Sequence, residues 1–270
     1  MGLGKLWRWE NKGGYGTLLA LLLIAMVAAA HAAPLTEPAY TSAVLTLPGS
    51  TARALYLSPA HPRAVLLMLI GGTGQLGLTA DGHLAHRANV LVRTRRDWLA
   101  RGYAVLLPDA PDRHSLRGQR SSSAYLAYLN RWLDRIAGQT AAPVILLGTS
   151  QGSIAAVNGA AHLAARLHGV VLSEPVTVPG GSHETVFDAD LQQVALPTLI
   201  VANHDDQCPV TPASGAAQMM ARMPLAQTRL AYVDGGEGNS AHCDSLSAHG
   251  YRGQEAAFVQ HVATWVQQLH

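Results

Sequence analysis

Ser150 stands in Gly148-Thr149-Ser150-Gln151-Gly152, a G-x-S-x-G that follows the apolar run Pro143 to Leu147 and opens an Ala-rich stretch. The bare pattern arises readily by chance; the strand-turn-helix setting gives it chemical meaning. A nucleophile presented at a sheet edge sits on a strained turn, where side chains two residues before or after it would meet neighbouring backbone. A serine hydroxyl also needs a base, normally His, and the base needs a carboxylate to hold its tautomer and stabilise the imidazolium. The acid candidates are Asp205 and Asp206, directly after the apolar run Pro197 to Ala202. The base candidates are His242 and His249, in the loop after Leu230 to Val233. On the residues alone, two choices stand at each position.

The elements that must position these residues are legible as alternating patterns. Eight apolar runs read as strands: Ala43 to Leu47, Ala54 to Leu57, Ala64 to Ile70, Ala104 to Leu107, Val144 to Leu147, Val170 to Leu172, Leu199 to Ala202 and Leu230 to Val233. From the third onward they are near-continuous Val, Ile and Leu, as expected of parallel strands covered on both faces; the first two read as an antiparallel edge. Helical spacing marks Val92 to Arg101, Ala124 to Ala137, Ile154 to Arg166, Ala213 to Arg222 and Gln254 to Leu269. The second of these carries a stripe of Leu126, Leu129, Leu133 and Ile136 behind candidate caps Ser121 to Ser123. The alternation predicts one open α/β sheet. With 270 residues, 49% hydrophobic and 13% charged, the chain can bury a large core.

Nineteen Lys plus Arg against 17 Asp plus Glu leave a net charge of +2, too little for the broad field that nucleic acid requires. Lysine occurs only at Lys5 and Lys12, so a P-loop lysine, a Schiff base or a Ser-Lys dyad has no residue to run on farther along. Residues 1–32 read as a secretory signal: basic Lys5, Arg8 and Lys12, an apolar run from Leu18 to Ala30, and the Ala30-His31-Ala32 triplet. Cleavage before Ala33 would leave a domain of residues 33–270, periplasmic or secreted and free of the membrane. As a retained anchor the run is short against the ~20 residues that span a bilayer. In an exported chain the two cysteines, Cys208 and Cys243, are expected to pair. A metal set of His204, Cys208, His242 and Cys243 is the rival reading, but it lacks the close spacing of structural zinc sites. No metal or cofactor is expected.

Several features together carry a family resemblance. They are the elbow at Ser150, the Gly71-Gly72-Thr73-Gly74 turn after the third strand, an Asp after the seventh, and a His shortly before the final helix. From about Ala54 to the C-terminus the chain resembles the α/β-hydrolase superfamily, specifically exported, dienelactone-hydrolase-like serine hydrolases. The resemblance implies a single-domain α/β-hydrolase fold, a mostly parallel eight-stranded sheet with helices on both faces. Only some twenty residues, Thr177 to Leu196, separate the sixth and seventh strands, so no large cap is expected. His249-Gly250-Tyr251 matches the His-Gly-aromatic pattern of such proteins and selects His249. Asp206, two residues before Cys208, is selected in the same way, and a Cys208–Cys243 bond would staple the acid loop to the histidine loop. The oxyanion donors would be the N–H groups of Gln151 and Gly72, with Thr73 the second choice for the latter.

Ile70, Asn203 and Glu174 depart from the pattern, and Glu174 raises a third candidate acid, after the sixth strand. The implied function is hydrolysis of a small-molecule carboxylic ester, with peptidase and thioesterase chemistry sharing the same machinery. Dienelactone hydrolases proper use cysteine as the nucleophile, so their lactone substrate does not carry over to a serine. A non-catalytic binding protein on the same fold is the alternative. Arg113, His114, Arg117 and Arg120, after the fourth strand, would either read an anionic substrate or form a solvated loop.

Overall fold

The computed structural model describes residues 39–238 and 241–269, so the predicted signal at residues 1–32 lies outside the described residues. Its eight strands are β1 (Tyr40–Thr46), β2 (Arg53–Pro59), β3 (Val65–Leu69), β4 (Ala104–Pro108), β5 (Val144–Thr149), β6 (Gly169–Ser173), β7 (Thr198–Asn203) and β8 (Thr228–Val233). They form one sheet in the order β1-β2-β4-β3-β5-β6-β7-β8. β1 and β2 pair antiparallel, as do β2 and β4. The remaining neighbours are parallel. Each predicted apolar run falls on a strand, and the early antiparallel edge is where the pattern places it.

Near-continuous apolar strands arise because both faces of the sheet are covered. Leu67, Leu106, Leu146, Leu172 and Ile200 face one core, shared with α3 (Ser123–Ala137), α4 (Gln151–His162) and α5 (Ser214–Ala221). Their chain neighbours Leu66, Val105, Ile145, Val171 and Leu199 face the other, shared with α1 (Val90–Arg93), α2 (Arg95–Ala100) and α6 (Glu255–Val266). The period-two alternation is present, but both of its phases are apolar.

Helix α3 begins where the serine run predicts, with the Ser122 hydroxyl accepting from the Tyr125 N–H at 3.1 Å. Its buried face includes Tyr125 and Trp132 beside Leu129, Leu133 and Ile136, while Leu126 is only half-buried. Two helical stretches depart most from the sequence reading. The stretch expected as one helix from Val92 to Arg101 starts at Val90 and is broken at Thr94, which bonds back to the Val90 carbonyl at 2.8 Å. The same hydroxyl accepts from Trp98 Nε1 at 3.1 Å. Helix α4 starts at Gln151, three residues ahead of Ile154, because the turn at Ser150 feeds directly into it, and it ends at His162.

Between β6 and β7 stand two 3₁₀ turns, Val186–Asp188 and Leu191–Gln193, and no cap domain among the described residues. No helix of the described residues is long and apolar enough to cross a membrane. Trp132, fully buried and edge-on to Tyr128, is the largest side chain that α3 gives to the core. Trp132→Ala should lower stability by about 3–5 kcal/mol, read as an earlier urea midpoint at unchanged slope.

Candidate active site

Ser150 leaves β5 with φ 53° and ψ −126° and immediately starts α4. Its amide donates to the Ser173 carbonyl of β6 at 2.9 Å. The flanking glycines are packing requirements. A Cβ on Gly148 would lie 2.3 Å from the Gly152 carbonyl oxygen, and one on Gly152 would lie 1.9 Å from the Leu69 oxygen at the end of β3. Gly71 is a further packing requirement: a Cβ on it would stand 2.8 Å from the Ser150 Cβ. Gly72 has open space around it and is required for its φ of +58°. The turn closes with the Gly74 amide on the Gly71 carbonyl at 3.1 Å. The Gln151 amide, at the first turn of α4, has no partner within the helix.

Asp206 and His249 are brought together, and Asp205 and His242 are not. His249 Nδ1 lies 2.9 Å from Asp206 Oδ2. The side chains are 6% and 0% exposed, respectively. Asp206 Oδ1 accepts from the Cys208 amide at 2.8 Å and Oδ2 from the Thr211 hydroxyl at 2.7 Å. An ionised carboxylate only accepts, so His249 Nδ1 is the donor in this contact. Asp205 is exposed and accepts from the Gly235 amide at 2.6 Å, and His242 is also exposed. His249, Ser150, Gly71 and Gly72 line one cleft of about 270 Å³, whose other walls include His86 and Asn89.

Three ties hold the histidine loop. The Cys208–Cys243 disulfide brings the two Cα atoms to 4.6 Å, joining the acid loop to the histidine loop. Asn203 Nδ2 donates to the carbonyls of Gly235 at 2.8 Å and Ala248 at 3.0 Å. Arg93 donates to the carbonyls of Gly250 at 2.6 Å and Ser245 at 2.8 Å, and to Glu255 Oε1 at 2.7 Å. Arg93 and Thr211 carry no motif, so sequence reasoning passed them over. With the two sulfurs bonded to each other, the rival metal set has no thiolates; its His204 stacks on Tyr232 at 4.1 Å and bonds Asp234 at 2.6 Å.

The arginine loop divides. Arg113, His114 and Arg117 are exposed, but Arg120 is 1% exposed and turned inward. Its Nη1 donates to Gln151 Oε1 and its Nη2 to the Ile70 carbonyl, both at 3.1 Å. Arg120 thus ties the residue after Ser150 to the residue before Gly71, and burial lowers its pKa from the usual guanidinium value. Glu184 holds the loop beneath it, accepting from the amides of Gly118, Arg120 and Ser121 and from the Ser121 hydroxyl.

No protein-family profile matches the chain, and no curated protein matches it in sequence. Solved structures do. A dienelactone hydrolase from Anabaena variabilis superposes with a TM-score of 0.61 at 16% identity, over 87% of this chain and 99% of that one. The chain has the α/β-hydrolase fold. A cold-adapted esterase from an Arctic intertidal metagenomic library gives 0.57 at 19% identity, over 86% of this chain and 94% of its own. A soluble variant of monoglyceride lipase from Saccharomyces cerevisiae gives 0.58 at 11%, over 86% and 97%.

On this α/β-hydrolase sheet the carboxyl ends of β5, β6 and β7 share one edge, and Glu174 directly follows β6. Glu174 has φ 41° and no exposed surface, and neither of its carboxyl oxygens has a hydrogen-bond partner. Burial first, and the Asp206 charge second, push its pKa well above the usual 4.5. An unfolded chain ionises this group above about pH 4.5 while the folded chain keeps it protonated, so it lowers stability as pH rises toward its folded pKa. Glu174→Gln removes that dependence. The difference in melting temperature, Glu174→Gln minus native, should therefore widen between pH 4 and pH 8; a constant difference would show that Glu174 does not titrate in this way.

Proposed function

We propose that the protein is a serine hydrolase that cleaves carboxylic esters through an acyl-enzyme on Ser150, with His249 as base and Asp206 as its carboxylate. The observation that carries the reading is the buried Asp206–His249 pair lining one cleft with a serine held in the left-handed backbone region. The fold is shared with esterases and lipases, which supports the chemistry without selecting a substrate.

In the proposed reaction His249 Nε2 takes the Ser150 proton as Oγ attacks the ester carbonyl carbon. The tetrahedral oxyanion is met by the amides of Gln151 and Gly72. As the intermediate collapses, the C–O bond to the alcohol breaks and His249 returns the proton to the departing alkoxide. Water then repeats the sequence on the acyl-enzyme, releasing the acid and restoring Ser150. Asp206 remains ionised throughout, holding the ring and balancing the imidazolium. The disulfide favours an oxidising compartment, which supports a periplasmic or secreted location. A cleft of about 270 Å³ without a cap favours small or accessible acyl groups over long buried chains.

Exposed to a fluorophosphonate, the native protein should gain the mass of one adduct and Ser150→Ala should gain none. A folded native protein that gains no mass would overturn the reading and point to a binding protein on a hydrolase fold.

A further inference from the structure

Glu174 is a buried acid for which the proposed reaction has no use. One of its carboxyl oxygens lies within 4.8 Å of both an Asp206 oxygen and a His249 ring nitrogen. Two adjacent carboxylates sealed from water cannot both be ionised. Asp206 has three donors that favour its anion: the Cys208 amide, the Thr211 hydroxyl and His249 Nδ1–H. Glu174 makes no well-formed hydrogen bond among the described residues, and the nearby Tyr251 hydroxyl and Asn203 backbone count for less than its burial and the Asp206 charge, so the single charge belongs on Asp206 and the proton on Glu174. The titratable and polar groups that face Glu174 are Asp206 and the Asn203 backbone from the end of β7, and His249 and Tyr251 from the loop before α6. No lysine or arginine is among them.

Resting on the hydrolase reading above, we propose that Glu174 is a second acid of the triad, a positioning residue that is protonated while Asp206 is an anion and takes over His249 when Asp206 loses its carboxylate. The geometry allows it. An oxygen 4.8 Å or less from its target needs to move by about 2 Å to reach hydrogen-bond distance, and it breaks no existing bond in doing so. If Asp206 is truncated, the like charge that opposes ionisation of Glu174 disappears, which favours an ionised Glu174 whose proton leaves to solvent. Backbone strain sits at the same place: Glu174 and Ser150 are non-glycine residues in the left-handed region at the ends of adjacent strands, and such residues cluster at functional sites.

The test compares native protein, Asp206→Ala, Glu174→Gln and the double variant. It reads fluorophosphonate labelling rate against pH and the infrared band of protonated carboxyl groups. Asp206→Ala should label about 10- to 100-fold more slowly than native, and the double variant should approach the loss of roughly 10⁴ expected of a triad without its carboxylate. Because its carboxylate is the harder acid to ionise, Asp206→Ala should reach its plateau rate at a more alkaline pH than native. A protonated-carboxyl band should be present in native protein at neutral pH, absent in Glu174→Gln, and lost in Asp206→Ala over the same alkaline range in which its labelling rate rises to its plateau. The proposal is overturned if Asp206→Ala labels no faster than the double variant, or if Glu174→Gln removes no such band. The band in native protein and Glu174→Gln decides the second point even if Asp206→Ala does not fold. A native protein that is not labelled overturns the hydrolase reading and this role with it, so the native protein tells the two failures apart.

Discussion

Three main-chain segments meet at Ser150 more closely than any side chain would allow, and the rest of the site is arranged around that contact. The end of β3 presents the Leu69 carbonyl to Gly152, the end of β5 brings Gly148 under the first turn of α4, and Gly71 passes against the Ser150 Cβ. With these approaches fixed, the chain can pass from β5 into α4 within one residue only if that residue takes a positive φ, and Ser150 takes it. Such a conformation costs on the order of 1–3 kcal/mol and persists because the two sheet cores over-determine it. The orientation of the hydroxyl is therefore set by backbone packing within the sheet, and the glycine spacing is the sequence's record of that packing.

The partners of Ser150 have no comparable backbone lock. Asp206 and His249 are 43 residues apart in sequence, on two loops that would otherwise wander by more than a catalytic constellation tolerates. The structure compensates with cross-ties of three chemical kinds. A covalent bridge joins Cys208 to Cys243, the Asn203 amide spans from β7 to the carbonyls of Gly235 and Ala248, and the Arg93 guanidinium grips the carbonyls of Gly250 and Ser245. Because Asn203 and Arg93 reach backbone carbonyls flanking His249, they fix where the ring starts from. Asp206 then fixes how it turns. Each oxygen of Asp206 is satisfied, which makes burying its charge tolerable.

What could be read from the sequence follows from which interactions leave a local mark. Strands buried on both faces leave apolar runs, and all eight are visible; the elbow leaves its glycines. The break between α1 and α2 leaves no mark, because it depends on where the Thr94 hydroxyl finds a carbonyl and an indole. The residues alone stopped at two acids and two histidines, and the resemblance to a family made the choice between them. Arg120 was the least legible: in sequence it is one of several arginines in a polar loop, and only Gln151, Ile70 and the Glu184 clamp turn it inward. Glu174 was visible as a departure from pattern, but its burial against Asp206 is a property of the sheet edge rather than of its neighbours in the chain.

Arg120 and Asp206 together give the cleft an electrical direction. The guanidinium is buried against Ile70 and Gln151, the residues adjoining the Gly71–Gly74 turn and Ser150, and the buried Glu184 carboxylate, which accepts from the Arg120 amide, offsets part of its charge. The Asp206 carboxylate is buried against His249, on the other loop system. In the proposed reaction negative charge develops beside the Gln151 amide and positive charge on the imidazole, so each buried ion stands behind the charge of opposite sign. Interactions of this kind are stronger in a dry site than in water and need no reorganisation as the charges form. Protonation of Glu174 preserves this arrangement: a second carboxylate on the His249 side would burden the acid pair with repulsion, whereas a neutral acid leaves one negative charge facing one ring.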